Sequence, residues 1–269
     1  MRGLSASKSL LENPISPTIM SSIKHACTVL HTLVIYCWII TATIVLGFLA
    51  IVVSFFSKNG NSVHCIARLW GRSILWVSGI RTETSGFHSA LHERSYIFMS
   101  NHQSNFDIPV LFSALPVQFR WLAKAELFRI PIFGSSMRGA GYISIDRSNR
   151  KSAFYSLARA VEAIRNGTSV MIFPEGTRST DGILLPYKKG GFVMAVDAGV
   201  PIVPVVITGT HAIMPKGRML IRRRWVRVHI GRPIETASFT RKSKDDLMVT
   251  VRTAMQEMMS ATAQGNSHG

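Results

Sequence analysis

Acidic side chains are scarce in this sequence, which has 14 Asp and Glu against 31 Lys and Arg and a formal net charge of +17. So basic a chain favours an anionic membrane surface, an anionic substrate or nucleic acid as its partner. Nucleic-acid binding would require aromatic residues clustered among the basic ones, whereas the basic residues here are spread along the chain. We therefore expect no nucleic-acid partner, and a membrane-tethered nucleic-acid-binding protein is only a remote alternative.

Cysteine is also rare, since the 269 residues contain only Cys27, Cys37 and Cys65. Neither a C-x-x-C pair nor a Cys/His spacing typical of metal ligands occurs. We therefore predict that the three cysteines are reduced packing residues and form no disulfide. We expect no metal site and no cofactor. The chain also lacks a G-x-S-x-G nucleophile elbow, which argues against a hydrolase-type serine.

Charge is missing altogether between His25 and Ser57, where no Asp, Glu, Lys or Arg occurs. A single transmembrane helix needs about 20 apolar residues. The uncharged run is therefore long enough for one tilted span, or for two shorter helices that enter one leaflet. It is too long for the apolar region of a signal peptide, and we expect membrane association.

The rest of the chain divides by composition. Apolar residues between Ser62 and Arg81 recur at helical spacing with basic residues between them, which predicts an amphipathic helix lying in the membrane interface or packed on the domain. The predicted units are a flexible leader (1–24), a hydrophobic membrane segment (25–57), an amphipathic connecting helix (58–90), a catalytic α/β domain (91–260) and a tail (261–269).

After residue 90, apolar runs of strand length alternate with segments of helical period, which predicts an α/β fold with a mixed sheet flanked by helices. The predicted strands lie near 95–100, 119–123, 142–146, 169–173, 202–208 and 226–230. The predicted helices lie near 108–115, 132–138, 152–165, 190–198 and 243–260.

The first candidate site follows the apolar strand at 96–100, where His102 precedes Asp107 by five residues. Such a strand-to-helix junction is where α/β sheets place their chemistry. Asp107 fits at or near a helix N-cap, and Pro109 fits the first turn. The carboxylate can then bind one imidazole nitrogen and leave the other free as a general base. A simple helix-capping aspartate is the alternative interpretation.

The second candidate site follows the strand at 169–173. Glu175, Gly176, Thr177 and Arg178 combine backbone amides, a hydroxyl and a guanidinium, which suit an anion such as a phosphate. Lys124 and Arg147 end two other predicted strands and can add positive charge. The alternative is a surface turn with a weak Glu–Arg pair and solvated charges.

Together these segments resemble the glycerolipid acyltransferase family, in particular the lysophosphatidic acid acyltransferases. Four sequence blocks carry the resemblance and cover roughly residues 90 to 210. The blocks are N-H-x-S-x-x-D (Asn101, His102, Ser104, Asp107), G-x-x-x-I-x-R (Gly141 to Arg147, preceded by the Lys124 segment), F-P-E-G-T-R-S (Phe173 to Ser179) and an apolar V-P-I-x-P-V (Val200 to Val205).

The resemblance implies that His102 is the general base and Asp107 orients it, while an acyl group passes from acyl-CoA or acyl-carrier protein to 1-acyl-glycerol-3-phosphate (lysophosphatidic acid). The product would be phosphatidic acid. The substrate-binding residues implied are Glu175, Gly176, Thr177, Arg178, Arg147 and Lys124.

Three alternatives stay open from the sequence: an acyltransferase for glycerol-3-phosphate, one for a lysolipid with another head group, and a membrane protein with an inactive site. Membrane lipids are expected partners. The expected location is the inner or plasma membrane with the catalytic domain on the cytoplasmic side, where acyl donors are found.

Overall fold

The computed structural model describes residues 17–86, 89–146 and 148–264. Most of the predicted leader and tail, and Arg147, lie outside the described residues. The helices of the described chain are α1 (Pro17–Ser54), α2 (Asn61–Ser78), α3 (Asp107–Ala114), α4 (Phe133–Gly139), α5 (Arg150–Arg165), α6 (Gly190–Ala198), α7 (Thr210–Ile213) and α8 (Lys244–Gln264), with 3₁₀ turns at Ser89–His92 and Ala125–Arg129.

The strands form one seven-stranded sheet in the order β1-β7-β6-β2-β5-β3-β4. All neighbouring pairs are parallel except β6 and β7. The predicted α/β fold with a mixed sheet is confirmed. The strands are β1 (Arg81–Ser85), β2 (Ile97–Ser100), β3 (Arg120–Lys124), β4 (Ile143–Ile145), β5 (Val170–Ile172), β6 (Ile202–Thr208) and β7 (Trp225–Ile230).

One strand, β1, was not predicted, because its sequence Arg-Thr-Glu-Thr-Ser is polar and lies in the segment assigned to a connecting helix. Its side chains are largely exposed, as is common on an edge strand. It is held by parallel pairing with β7, in which Arg81 lies opposite Trp225. The helix predicted from Ser62 accordingly ends at Ser78, where Gly79 adopts φ 62° and caps it.

The sheet is covered on both faces, as strands with continuous apolar runs require. On one face α2 and α3 bury an aromatic-rich cluster that includes Phe98, Phe112 and Phe119. On the other face α5, α6 and α8 cover a second cluster that includes Met99, Phe192 and Met255.

Helix α1 packs on the domain by one narrow face, with Thr32, Ile35, Ala42 and Ala50 buried. From Leu30 onward, the remaining surface of this helix is largely apolar and exposed. By length and composition alone it could cross a membrane. It is a single continuous helix, and α2, which packs against it, is the second helix of the N-terminal region. The exposed side chains include Leu33, Val34, Ile40, Ile44, Val45, Phe48 and Leu49.

The contact between α2 and α3 depends on Gly71, which is buried. A Cβ at this position would lie 2.9 Å from Phe112 Cβ and 3.1 Å from the Pro109 carbonyl oxygen. Since α3 begins at Asp107, this packing also positions the first candidate site.

We expect Gly71→Leu to destabilise the protein by about 1–3 kcal/mol, because the added side chain overpacks a helix–helix contact that includes backbone atoms. Thermal unfolding in detergent measures the effect. The control is Arg72→Leu, which places the same leucine at the neighbouring exposed position, where no packed contact is disturbed. Equal stability of the two variants would contradict the packing argument.

Candidate functional site

Three parallel neighbours, β2, β5 and β3, end at one edge of the sheet and bring the candidate residues together. His102 follows β2, the loop with Arg178 follows β5, and Lys124 ends β3. Chemistry in parallel α/β sheets is commonly placed at this edge. Hence the sheet topology joins the two candidate sites that the sequence presents separately.

His102 and Asp107 form the pair that their spacing predicts. Nδ1 of His102 lies 2.7 Å from Oδ2 of Asp107. Because a carboxylate can only accept, Nδ1 carries the hydrogen and Nε2 is left as the acceptor. Nε2 has no hydrogen-bonding partner among the described residues, and His102 lines a cavity. The imidazole is therefore available to accept a proton from a bound molecule.

Asp107 is fully buried and holds the turn before its own helix. Its Oδ2 also accepts the backbone N–H groups of Gln103 at 2.7 Å and Ser104 at 2.9 Å. The N-cap position of α3 is Phe106, and no side chain caps that helix end. Asp107 is thus not a helix cap, and its carboxylate is fixed by three donors on one oxygen.

The imidazole plane is fixed by stacking as well as by the carboxylate. The rings of His102 and Phe173 lie 3.9 Å apart between centroids at an interplanar angle of 7°. The ring of Trp121 packs against Phe173, with 5.3 Å between the two ring centroids. The ring therefore has little rotational freedom, as a base held in one tautomer and one orientation requires.

Glu175 connects the two motifs through the backbone. Its Oε1 accepts the N–H of His102 and its Oε2 accepts the N–H of Leu185, each at 2.8 Å, and the side chain is almost completely buried. In return the Ser179 N–H donates to the His102 carbonyl at 2.8 Å. Glu175 therefore positions the loop after β5 against His102, and its predicted role in substrate binding stays a prediction.

Gly176, Thr177, Arg178 and Lys124 all line the same cavity as His102. No ion pair of Arg178 is found among the described residues, whereas Lys124 lies 3.8 Å from Glu126. Arg147 lies outside the described residues, so its predicted role stays a prediction. The cavity thus combines a base with at least two cationic side chains.

Sequence reasoning missed Lys216, which follows β6. Its Nζ donates to the Thr177 hydroxyl at 3.2 Å and to the Arg178 carbonyl at 3.1 Å. A lysine in a Pro-Lys-Gly turn carries no distinguishing sequence signal, because only the fold brings it to the loop after β5. It adds a third cation beside the cavity.

The whole cavity has a volume of about 440 Å³. Apart from the polar residues named above, its lining is mostly apolar. Its walls come from α1, α2, α4 and β3. They suit a hydrocarbon chain rather than a polar ligand. Among the described residues no group of three metal-ligating side chains occurs. The apolar wall includes Gly47, Ala50, Val63, Ile66, Trp70, Met137 and Ala140.

Another buried histidine near this wall, His64, is not suited to act as a base. It contacts the Tyr142 hydroxyl at 3.2 Å. Burial, assisted by the charge of Arg120, lowers the pKa of His64 to about 3. Such a group has too little basicity at neutral pH.

The chain is similar to proteins of known family. A family model described as Acyltransferase matches residues 81–208. The chain is 39% identical to a chloroplastic 1-acyl-sn-glycerol-3-phosphate acyltransferase of Brassica napus over 64% of this chain, and it spans only 50% of that relative. It is 31% identical to the 1-acyl-sn-glycerol-3-phosphate acyltransferase of Haemophilus influenzae over 78% of this chain and 88% of the relative.

A solved structure is also similar. The crystal structure of the 1-acyl-sn-glycerophosphate acyltransferase from Thermotoga maritima superimposes with a TM-score of 0.77 at 27% identity. The match covers 89% of this chain and 97% of that structure.

We expect Glu175→Gln to destabilise the loop by about 1–3 kcal/mol, because the amide nitrogen of glutamine must face one of two backbone N–H donors. Burial raises the pKa of Glu175, with the two amide donors acting in the opposite direction. An acid whose pKa is raised on folding loses stability as the pH rises from its unfolded value through its folded value.

The loss in unfolding free energy caused by Glu175→Gln should therefore be largest in acid and should decrease as the pH rises from about 4.5. Unfolding in detergent across pH 4 to 8 measures it, with Glu162→Gln on α5 as the control. A loss that grows with pH would contradict this account of Glu175.

Proposed function

The chain belongs to the acyltransferase family that includes the 1-acyl-sn-glycerol-3-phosphate acyltransferases, and on that premise we propose that it transfers a fatty acyl group from a thioester to the free hydroxyl of 1-acyl-sn-glycerol-3-phosphate. The product is phosphatidic acid. The observation that carries this proposal is the His102–Asp107 pair, which opens into a cavity lined by both cations and hydrocarbon-binding side chains.

The proposed reaction begins at Nε2 of His102, which takes the proton from the acceptor hydroxyl. Asp107 stabilises the imidazolium that forms, through the 2.7 Å contact at Nδ1. The hydroxyl oxygen attacks the thioester carbonyl, the carbon–sulfur bond breaks, and the thiolate leaves with the proton returned from His102. Transfer is direct, so no nucleophile of the protein is required.

The phosphate of the acceptor is bound by cationic groups around the cavity. Arg178 offers a planar donor pair that matches a phosphomonoester. Lys124 adds a second charge, and Lys216 adds another while it holds the loop that carries Thr177. We include Arg147 in this set because it ends the sequence block Gly141 to Arg147. Glu175 acts as a positioning residue for His102.

The donor is acyl-CoA or acyl-carrier protein, and the apolar walls of the cavity hold an acyl chain. The exposed apolar side of α1 supports membrane association. We assign the inner or plasma membrane, with the catalytic domain on the cytoplasmic side where the donors occur. Membrane lipids are thus both the surroundings of the protein and its substrates.

The proposed function is tested by thiol release from palmitoyl-CoA by the detergent-purified chain, with and without 1-oleoyl-glycerol-3-phosphate. We expect release only with the acceptor, and a decrease of about 10²–10⁴-fold in kcat for His102→Ala, because general-base catalysis contributes that much. His229→Ala, at the far end of β7 beside Ser85, is the matched control.

Undiminished turnover in His102→Ala would refute the mechanism. Absence of turnover in the wild type with both acyl-CoA and acyl-carrier protein donors, across lysolipids of several head groups, would refute the proposed activity.

We expect Arg178→Gln to raise KM for 1-oleoyl-glycerol-3-phosphate by roughly ten- to a hundredfold, because a charge-assisted hydrogen bond contributes about 1.5–3 kcal/mol. The KM for monooleoylglycerol, which lacks the phosphate, should change little. Equal increases for the two acceptors would show that Arg178 does not recognise the phosphate.

A further inference from the structure

Four arginines and two tryptophans lie exposed at one corner of the molecule, outside the cavity described above. We propose that they form a binding surface for the head groups of anionic phospholipids, which holds the catalytic edge of the sheet at the bilayer. This arginine–tryptophan corner consists of Trp76, Arg81, Arg222, Arg223, Arg224 and Trp225.

Elements far apart in sequence assemble the corner. Arg81 and Trp225 are opposite each other at the start of the β1–β7 pair, with the guanidinium carbon 5.3 Å from the indole centroid. A Cβ on Gly79 would lie 3.0 Å from Nε of Arg223. Arg223 therefore lies beside the C-terminal end of α2, the last turn of which contains Trp76.

No carboxylate among the described residues pairs with the arginines of the corner. Among residues 17–86, 89–146 and 148–264, no ion pair involves Arg81, Arg222, Arg223 or Arg224. The neighbouring carboxylate of Glu83 pairs with Arg227. A basic cluster at a membrane surface attracts anionic lipid with about 1 kcal/mol per residue.

The tryptophans favour a lipid surface over an acidic protein as the partner. Trp76 is 81% exposed and Trp225 is 64% exposed, and tryptophan beside arginine is typical of the membrane–water interface. The corner is also continuous with α1, since the Tyr36 hydroxyl donates to the Met219 carbonyl and the Ile221 N–H donates to the Thr32 hydroxyl. Its lipid contacts would therefore extend those of the exposed apolar side of α1.

The sheet places the corner on the same edge as the candidate site. β6 is parallel to β2, and Asn101 exchanges hydrogen bonds with Ile207 near the ends of the two strands. β7 runs antiparallel to β6, so its beginning lies beside the end of β6, with Arg227 opposite Thr208. Lipid bound at the corner would thus orient the cavity entrance toward the bilayer.

The inference rests on the proposed membrane association but not on acyl transfer, so vesicle binding rather than turnover is the test. The full-length protein is diluted from detergent onto phosphatidylcholine vesicles with or without phosphatidylglycerol, and bound protein is measured by flotation. We expect phosphatidylglycerol to raise the partition coefficient roughly ten- to a hundredfold. Combined Arg222→Gln, Arg223→Gln and Arg224→Gln should abolish this preference and leave binding to pure phosphatidylcholine unchanged.

The matched control removes the same charge elsewhere with Lys151→Gln, Arg159→Gln and Lys242→Gln, and it should retain the preference. An undiminished preference in the arginine variant, or an equal loss in the control, would overturn the proposal. The arginine variant could instead keep its lipid preference and lose turnover only with an acyl-carrier protein donor. That result would overturn the proposal, because the corner would then bind an acidic protein.

Discussion

The arrangement of the site depends on the buried carboxylate of Asp107. One oxygen, Oδ2, accepts two backbone N–H groups and the imidazole Nδ1–H. A charge removed from water is tolerated only where such donors compensate it. The same bonds that compensate the burial of Asp107 therefore fix the turn, the ring tautomer and the direction of Nε2.

The sheet supplies the second constraint, because parallel strands end at a common edge. The loops after β2 and β5 meet there, and the buried carboxylate of Glu175 joins them through the His102 and Leu185 amides. The loop is braced from α8, where the Arg252 guanidinium donates to the carbonyls of Leu184 and Leu185. The cationic wall of the cavity thus keeps a defined position relative to the base.

Sequence reasoning identified the fold class, six of the seven strands of the described sheet and the His102–Asp107 pair, because these depend on local apolar runs and on one turn. It missed β1, whose polar sequence pairs only because β7 lies beside it. It also missed Lys216 and did not anticipate the backbone contacts of Glu175. Those features depend on loops that only the tertiary fold brings together.

The imidazole of His102 and the carboxylate of Asp107 are proposed to act as one unit, and a double-mutant cycle in kcat measures their coupling. The variants are His102→Ala, Asp107→Asn and the combination. Residues that act as a unit give strongly non-additive losses. If the two side chains act together, Asp107→Asn costs much activity in the wild type and little once His102 is absent. Losses that multiply in the double variant would contradict the proposal.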